Sequence, residues 1–313
     1  MHTLKLPYIK AEQKEGIRTR VLNAGFCRAR FLVPFDPQVY TDSGRPVSYQ
    51  AGSPALLVAA LVYGNQQEVM KAETASSANP AGYIAPFAQR NYYREAVKRL
   101  QGLARELRSD YGGKKSDFNI LCNSPVPEKP LAVASGLGSI GRNSLIIIPE
   151  AGSLCIIAAM TLPFALEGDP PLTGSEVFPY CRSCDTRLPP CAAACPTRAV
   201  TGDGSIDLSR CIQWYASGKG NTVPEEIAQN WGNRLYGCTD CQDQCVHNMR
   251  PIQGLVTEEG VLPGYIDPQK LLTMTEAELK ARFKGTSLGF SWLIPQGIRR
   301  NACMILGQYQ RQQ

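Results

Sequence analysis

The sequence predicts an α+β protein in three consecutive parts: a mixed α/β domain at residues 1–165, a cysteine-rich module at 166–250 and a short helical segment at 251–313 that packs back on the core. Three observations predict this fold. An unbroken apolar run, ALLVAALVY, suits a buried strand; apolar residues recur at helical spacing in NYYREAVKRLQGLAREL; and eight cysteines crowd between Cys181 and Cys245. A chain of 313 residues can also bury a core without cysteine staples.

The elements of the first domain follow in order along the chain. A polar segment from Ala11 to Asn23 predicts a helix, and the apolar run from Ala55 to Tyr63 predicts a buried strand. The next helix is predicted by a buried stripe made of Tyr92, Ala96, Leu100, Leu103 and Leu107. The run from Ser144 to Leu162 is interrupted by Pro149 and Gly152, so we expect two buried strands that form a hairpin and close the domain.

The remaining segments are shorter. From Ala165 to about Tyr180 the chain is rich in proline and glycine, which predicts a linker into the cysteine region. In the last segment, TMTEAELKARF predicts a helix capped by Thr275, with Glu278 completing a capping box.

Composition limits the classes of function. No apolar run approaches the roughly 18 residues that span a bilayer, and the N-terminal residues lack the apolar core of a signal peptide. We therefore expect a cytoplasmic protein, no membrane partner and reduced thiols, which favours metal or redox roles for the cysteines. The net charge of +6 admits RNA or an acidic redox protein as partner, although the sequence contains no RNA-binding motif. Cys155 and Cys303 lie in apolar runs and are expected to be inert core residues.

The eight clustered cysteines repeat one half-pattern. CRSCDTRLPPCAAACP and YGCTDCQDQC each end in C-x3-C, and Cys211 lies between them. In two-cluster ferredoxins the last cysteine of each half binds the other cluster. The pattern therefore predicts a ferredoxin-like module with two [4Fe–4S] clusters, one held by Cys181, Cys184, Cys191 and Cys245 and the other by Cys195, Cys211, Cys238 and Cys241.

A pair of four-cysteine zinc sites is the alternative, because C-x2-C knuckles also bind zinc. The C-x3-C-P piece and the isolated Cys211 favour iron–sulfur clusters instead. One irregularity is the insertion DTRLPP between Cys184 and Cys191, where ferredoxins have a much shorter spacer; Pro189 and Pro190 stiffen this loop.

Three stretches resemble the epoxyqueuosine reductases, which are cobalamin- and [4Fe–4S]-dependent enzymes of tRNA modification related to the reductive dehalogenases. They are PEKPLAVASGLGSIGRNSLIIIPEAGS, SIDLSRCIQWY and GNRLYGCTDCQDQC. The resemblance covers about residues 80–310 and weakens toward the N-terminus. It implies that the N-terminal domain binds cobalamin and that the clusters deliver electrons to it.

The resemblance also implies where cobalamin binds. The loop GLGSIGRNS would face the corrin, with glycines that allow close approach and polar side chains that bond its amides; the residues concerned are Gly136, Gly138, Ser139, Gly141, Asn143 and Ser144. Without the resemblance, the same residues are also typical of a glycine-rich turn between two strands. The stretch contains GxGxxG but leads into a strand, so it does not match a dinucleotide fingerprint.

Three departures from the family concern the substrate side. Cys122 stands at or next to the position of the family's proton-donating aspartate, and its thiol could donate the proton, bind cobalt or simply be buried. His247 follows Cys245 where the family has a tryptophan-containing CPWN, and it could reach the corrin or lie on the surface. The helical repeats that many family members carry at the C-terminus are also expected to be absent.

The sequence therefore predicts an oxidoreductase that passes electrons through two clusters to cobalamin and on to a substrate near Cys122 and Lys129. Lys129 replaces a family arginine and could hold an anion. The substrate is either epoxyqueuosine in tRNA or a different small molecule, and a ferredoxin or flavodoxin is the expected electron donor. The alternative is an electron-transfer or corrinoid-handling protein without substrate chemistry of its own.

Overall fold

The structure, a computed structural model, describes residues 7–33, 53–64, 80–149, 151–172, 179–184, 187–218 and 222–312. The chain forms two compact units. The first contains the described residues within Met1–Val62, Tyr93–Gly141 and Leu145–Arg182, and the second contains those within Tyr63–Tyr92, Arg142–Ser144 and Ser183–Gln313. The domain boundaries predicted at residues 165 and 250 remain predictions.

The first unit is built on a four-stranded antiparallel sheet in the order β2-β3-β8-β5. Its strands are β2 (Arg28–Leu32), β3 (Ala55–Val62), β5 (Ile120–Leu121) and β8 (Cys155–Leu162). Every residue of β3 is buried, as the unbroken apolar run predicts. Two small pairs accompany the sheet: β1 (Tyr8–Ile9) with β9 (Ala165–Leu166), and β6 (Ser139–Ile140) with β7 (Ile146–Ile147).

Three helices belong to this part of the chain: α1 (Ala11–Asn23), α2 (Tyr92–Tyr111) and α3 (Glu128–Ala134). The predicted stripe on α2 is confirmed, because Ala96, Leu100, Leu103 and Leu107 are all buried. Burial of this apolar face, rather than helix propensity alone, stabilises such a helix.

The hairpin predicted for the run from Ser144 to Leu162 is wrong in its pairing. Both strands exist, but β7 pairs with β6, and β8 pairs with β3 and β5. An apolar run shows that a strand is buried and leaves its neighbour unspecified; here β8 has an eight-residue register with β3, which offers far more backbone hydrogen bonds than the two-residue β7 could.

The second unit contains a three-stranded sheet with the order β10-β4-β11. Its strands are β4 (Gly82–Ile84), β10 (Arg234–Tyr236) and β11 (Tyr265–Ile266). Its helices are α4 (Pro190–Ala193), α5 (Ile212–Ala216), α6 (Glu225–Gln229), α7 (Asp240–Asp243), α8 (Pro268–Thr273), α9 (Glu276–Phe283) and α10 (Gln296–Gln312). The core packs around the fully buried Trp231. The predicted cap of α9 is confirmed, because Thr275 and Glu278 exchange their capping-box hydrogen bonds.

Within the described residues, no helix is both long enough and apolar enough to cross a bilayer.

Candidate functional site

Two short helices carry the C-x3-C pairs and share a set of backbone hydrogen bonds. Cys191 lies on α4 and Cys241 on α7. In each copy, two N–H groups, one and two residues after this cysteine, donate to the same carbonyl, which lies two residues before the cysteine. The N–H of the second cysteine of the pair, Cys195 or Cys245, donates to the carbonyl three residues before it. The carbonyls of Cys195 and Cys245 then accept from Arg198 and Asn248. The half-pattern seen in the sequence is therefore a structural repeat.

Local chemistry sets the geometry of the first copy. Pro190 occupies the first turn of α4, where its fixed φ suits a helix start and its missing N–H costs nothing. Gly202 adopts φ +87°, and a Cβ at this position would lie 3.1 Å from Cγ of Pro189. The two prolines are therefore packed in place, although residues 185 and 186 of the same insertion lie outside the described part of the chain. The helix that they begin packs against α7.

The thiols around Cys241 lie close enough to influence one another. Burial raises the pKa of Cys241, and the charges of four further cysteines add to this effect: Cys238, Cys195, Cys211 and Cys191. Burial first, then Asp240, raises the pKa of Cys238 to about 11. The thiolate is the form that binds a metal, so a cation that binds here has to displace these protons and its binding depends on pH.

Other cysteines of the pattern are placed as follows. The Sγ of Cys195 accepts a hydrogen bond of 3.2 Å from the N–H of Ala199, a type of contact that tunes iron–sulfur clusters. Cys181 is buried, and Cys184 is half-buried at the end of a short 3₁₀ turn. Among the residues that the structure describes, no group of three His, Cys, Asp or Glu side chains is arranged to hold a single metal ion.

The glycine loop forms a tight turn between β6 and β7, as its strand-like context predicts. Gly136 has φ +70°, and a Cβ there would lie 2.7 Å from the carbonyl oxygen of Pro170. A Cβ on Gly138 would lie 2.6 Å from the carbonyl oxygen of Ile147. The N–H of Gly141 donates to the carbonyl of Leu145 and closes the turn. The first two glycines are thus required by the protein's own packing.

Polar residues of this loop differ in what they offer a ligand. The Oγ of Ser139 is buried and has no hydrogen-bond partner within the described residues, which is costly unless a ligand supplies one. Asn143 is almost fully buried and its Nδ2 donates to the carbonyl of Cys241 over 3.4 Å, while Arg142 donates to the carbonyl of Gly202. Residues 142–144, including Ser144 at φ +65°, therefore belong with the cysteine module.

Cys122 follows β5 and its thiol points toward backbone oxygens. The Sγ lies 3.8 Å from the carbonyl oxygen of Ile157 and 4.0 Å from that of Tyr93. Burial, followed by the charge of Glu128, raises the pKa of Cys122 to about 12. The thiol therefore stays protonated near neutral pH and gives up its proton reluctantly.

Glu128 was missed as a site residue in the sequence. It begins α3, and its Oε1 accepts from the N–H of Ser124 over 3.2 Å. Burial raises the pKa of Glu128, although backbone N–H groups, including that of Asn123, act in the opposite direction. Asn123 has φ +52°, and this turn is what folds the loop back toward the carboxyl group. In the sequence, the only sign of this residue was an acid in the family-like stretch PEKPLA, six residues after Cys122. The turn shows that the acid and the thiol are close in space.

The remaining predicted residues differ in their exposure to solvent. Lys129 is exposed, and His247 is half-buried two residues after Cys245. Burial raises the pKa of Cys155, as expected for an inert thiol. Cys303 is exposed, so its predicted core position is wrong: α10 turns this position away from the buried face that carries Ala302.

Comparison with known proteins adds two kinds of finding. Residues 180–248 match the family model of a 4Fe-4S double cluster binding domain, which contains all eight clustered cysteines. An epoxyqueuosine reductase of Shewanella oneidensis is 30% identical over 214 residues, covering 66% of this chain and 52% of that enzyme. The match thus spans about half the length of this curated relative.

Solved structures agree with the sequence matches. An epoxyqueuosine reductase of Bacillus subtilis is 25% identical with a TM-score of 0.77, covering 96% of this chain and 82% of that one. An epoxyqueuosine reductase crystallised with a modified tRNA-Tyr stem loop has the same fold, with a TM-score of 0.77 and 24% identity over 96% of this chain and 82% of that one. A catabolic reductive dehalogenase shares the fold more distantly, with a TM-score of 0.50 and 18% identity over 76% of this chain and 32% of that one.

These findings confirm the resemblance and favour iron–sulfur clusters over zinc. The chain is similar in sequence and in fold to the epoxyqueuosine reductases, and it carries a 4Fe-4S double cluster binding domain at residues 180–248.

Proposed function

We propose that this protein is a cobalamin-dependent iron–sulfur reductase whose substrate is epoxyqueuosine in tRNA. The observation that carries the proposal is the double cluster domain at residues 180–248, within a chain whose fold matches 82% of an epoxyqueuosine reductase. An enzyme of this type crystallised with a tRNA stem loop supports tRNA as the carrier of the substrate. A cytoplasmic location and a ferredoxin or flavodoxin as electron donor are parts of the same proposal.

Electrons would pass through two [4Fe–4S] clusters with crossed ligands. We assign one cluster to Cys181, Cys184, Cys191 and Cys245, and the other to Cys195, Cys211, Cys238 and Cys241. The repeat of α4 and α7 supports this assignment, because two halves of a ferredoxin-like module exchange their last cysteines. Of the four thiols whose charges act on Cys241, three belong to this second set, those of Cys238, Cys195 and Cys211, and the fourth, Cys191, belongs to the first.

The donor set also suits cobalamin. The unpartnered Oγ of Ser139 offers a hydrogen bond to a corrin amide, and the residues that we assign to the cofactor are Gly136, Gly138, Ser139, Gly141, Asn143, Ser144 and His247. Bound cobalamin would supply a strongly reducing cobalt centre. The two tightly packed glycines would act by shaping the turn that presents Ser139.

Two groups of this chain could deliver the proton that a reductive step consumes. Cys122 holds its proton tightly, because its pKa is raised to about 12. Burial raises the pKa of Glu128, so its carboxyl group keeps a proton over a wider pH range than an exposed glutamate and is the second possible donor. Lys129, exposed on the same segment, would attract the anionic RNA.

The test uses anaerobically reconstituted protein with cobalamin and a reducing system. We expect the cobalamin absorption spectrum to change on reduction, and epoxyqueuosine-modified tRNA to be converted to queuosine-containing tRNA, as read by mass spectrometry of digested nucleosides. Cobalamin reduction without any conversion of the modified tRNA would contradict epoxyqueuosine as the substrate, and would leave a reductase of a different small molecule or an electron-transfer or corrinoid-handling protein. No spectral change with intact clusters would contradict the assignment of cobalamin.

A further inference from the structure

The first unit has a basic groove that none of the roles above uses. It lies between α2 and the segment 115–120, with a volume of about 860 Å³. We call it the α2 groove, and its lining residues are Val97, Gln101, Ala104, Arg105, Arg108, Lys115, Ser116, Phe118, Asn119 and Ile120.

One side of α2 supplies half of this lining. Val97, Gln101, Ala104, Arg105 and Arg108 recur at helical spacing, next to the buried stripe of the same helix. From Val97 to Arg108 the helix rises about 16 Å. The groove is therefore long enough for two or three successive phosphates of an extended nucleic-acid strand.

The charge of the lining has one sign. Arg105, Arg108 and Lys115 are cationic, and none of the ten lining residues is an acid. Three acids lie close to these residues along the chain: Glu106 is exposed and directly follows Arg105, Asp110 pairs with Arg20 at 2.5 Å, and the carboxylate of Asp117 accepts from the N–H of Lys114 at 2.6 Å. The lining itself therefore carries three positive charges and no negative charge.

The shape of the groove favours a polymer over a small molecule. Gln101, Arg105, Arg108, Lys115, Ser116 and Asn119 are exposed, and only Phe118 in the floor is buried. Small-molecule sites usually enclose most of their ligand, which an open groove cannot do. Arginine guanidinium groups match phosphate oxygens in pairs, and amide and hydroxyl side chains bond sugar and phosphate oxygens.

We propose that the α2 groove is a docking surface for the phosphate backbone of the RNA that carries the substrate. The proposal rests on the proposed function insofar as the substrate is borne by RNA. It adds a surface on the first unit that positions the RNA without contacting the modified base.

Binding of an unmodified, fluorescently labelled RNA hairpin tests the groove separately from catalysis. The holoprotein is titrated at several KCl concentrations without an electron donor. Replacing both arginines by alanine (Arg105→Ala with Arg108→Ala) should weaken binding about 10-fold or more, and should lower the slope of log affinity against log salt by about 1.4 to 1.8. Adding Lys115→Ala should lower both further.

A matched control removes two positive charges from a different surface of the protein. Lys270→Ala with Lys284→Ala changes two exposed lysines of the second unit and should alter the affinity by less than about 2-fold. Iron content shows that each variant keeps its clusters. Equal weakening in both double variants would mean that net charge alone matters, and would overturn the proposal.

Two further outcomes separate this proposal from the proposed function. If the groove variant binds RNA as the wild type does but is no longer reduced by flavodoxin, the groove docks an acidic protein and the proposal is wrong. If wild-type protein binds the hairpin through the groove yet never converts epoxyqueuosine, the groove is supported and the proposed reaction fails.

Discussion

Glu128 and Cys122 are two ionisable groups of different acidity in one short loop. Burial raises the pKa of both, but the thiol reaches about 12, whereas the carboxyl group is also stabilised as an anion by backbone N–H donors. A general acid works best when its pKa lies near the working pH. The thiol, with its pKa at about 12, lies far from that condition, so we favour the carboxyl group of Glu128 as proton donor.

Replacing Glu128 by glutamine should distinguish the two donors. Glu128→Gln keeps the size of the side chain and an acceptor for the N–H of Ser124, but it cannot donate an acidic proton. We expect turnover to fall about 10²–10⁴-fold. The wild-type rate should fall as pH rises through the raised pKa of Glu128, and the variant should lose this dependence.

Cys122→Ala is the matched comparison for the same pH–rate measurement. The thiol stays protonated until pH approaches 12, so its removal should leave the pH profile near neutrality unchanged. If Cys122→Ala abolishes turnover and Glu128→Gln does not, the thiol is the donor after all.

Ser139 provides a residue-scale test of cobalamin binding. A bulky substitution of Gly138 is unsuitable, because its Cβ would lie 2.6 Å from the carbonyl oxygen of Ile147 and would disrupt the β6–β7 turn. Ser139→Ala removes only an unpartnered hydroxyl group. We expect cobalamin affinity to fall about 2- to 12-fold, the value of one hydrogen bond, with unchanged iron content in a spectrophotometric titration.

The exposed Ser209 supplies the control, since Ser209→Ala should leave cobalamin affinity unchanged. Equal affinity of wild type and Ser139→Ala would place the cofactor away from this loop.

At the scale of elements, the repeat of α4 and α7 explains why ligation should cross between the halves. Each helix presents one cysteine at its centre and a second one four residues later, beyond the helix end. In such paired halves the later cysteine serves the other cluster. Cys245 should therefore share a cluster with Cys181 rather than with its neighbour Cys241.

Double variants test this crossing through iron content. Cys245→Ala should destabilise one cluster and lower bound iron to about half. Adding Cys181→Ala should cause little further loss, because both residues serve the same cluster, whereas adding Cys238→Ala should remove nearly all iron. The opposite ranking of the two double variants would show uncrossed ligation. Cys303→Ala, at an exposed position, serves as the control.

Local patterns predicted single elements well. The stripe on α2 and the unbroken run in β3 each follow from the environment of one segment, and both are confirmed. The hairpin of β7 and β8 was wrong because partner choice depends on the register between distant strands. Glu128 was missed for a similar reason, since the turn at Asn123 brings it to the loop.

At the scale of the whole molecule, the chain returns repeatedly between its two units. β4 lies early in the sequence but pairs with β10 and β11 of the second unit, and residues 142–144 also belong to that unit. The sequence predicts consecutive parts, because changes in composition along the chain reveal linkers. Such changes do not reveal a segment that rejoins an earlier unit. The cysteine module was predictable because its ligands lie close together in sequence.

Eight cysteines of this chain hold two [4Fe–4S] clusters, and the metal content of the protein reports on this directly. Iron, acid-labile sulfide and zinc measured together on anaerobically purified protein test it most directly. Two bound clusters would give about eight iron and about eight sulfide per chain, with little zinc. Zinc as the dominant metal, without sulfide, would contradict it.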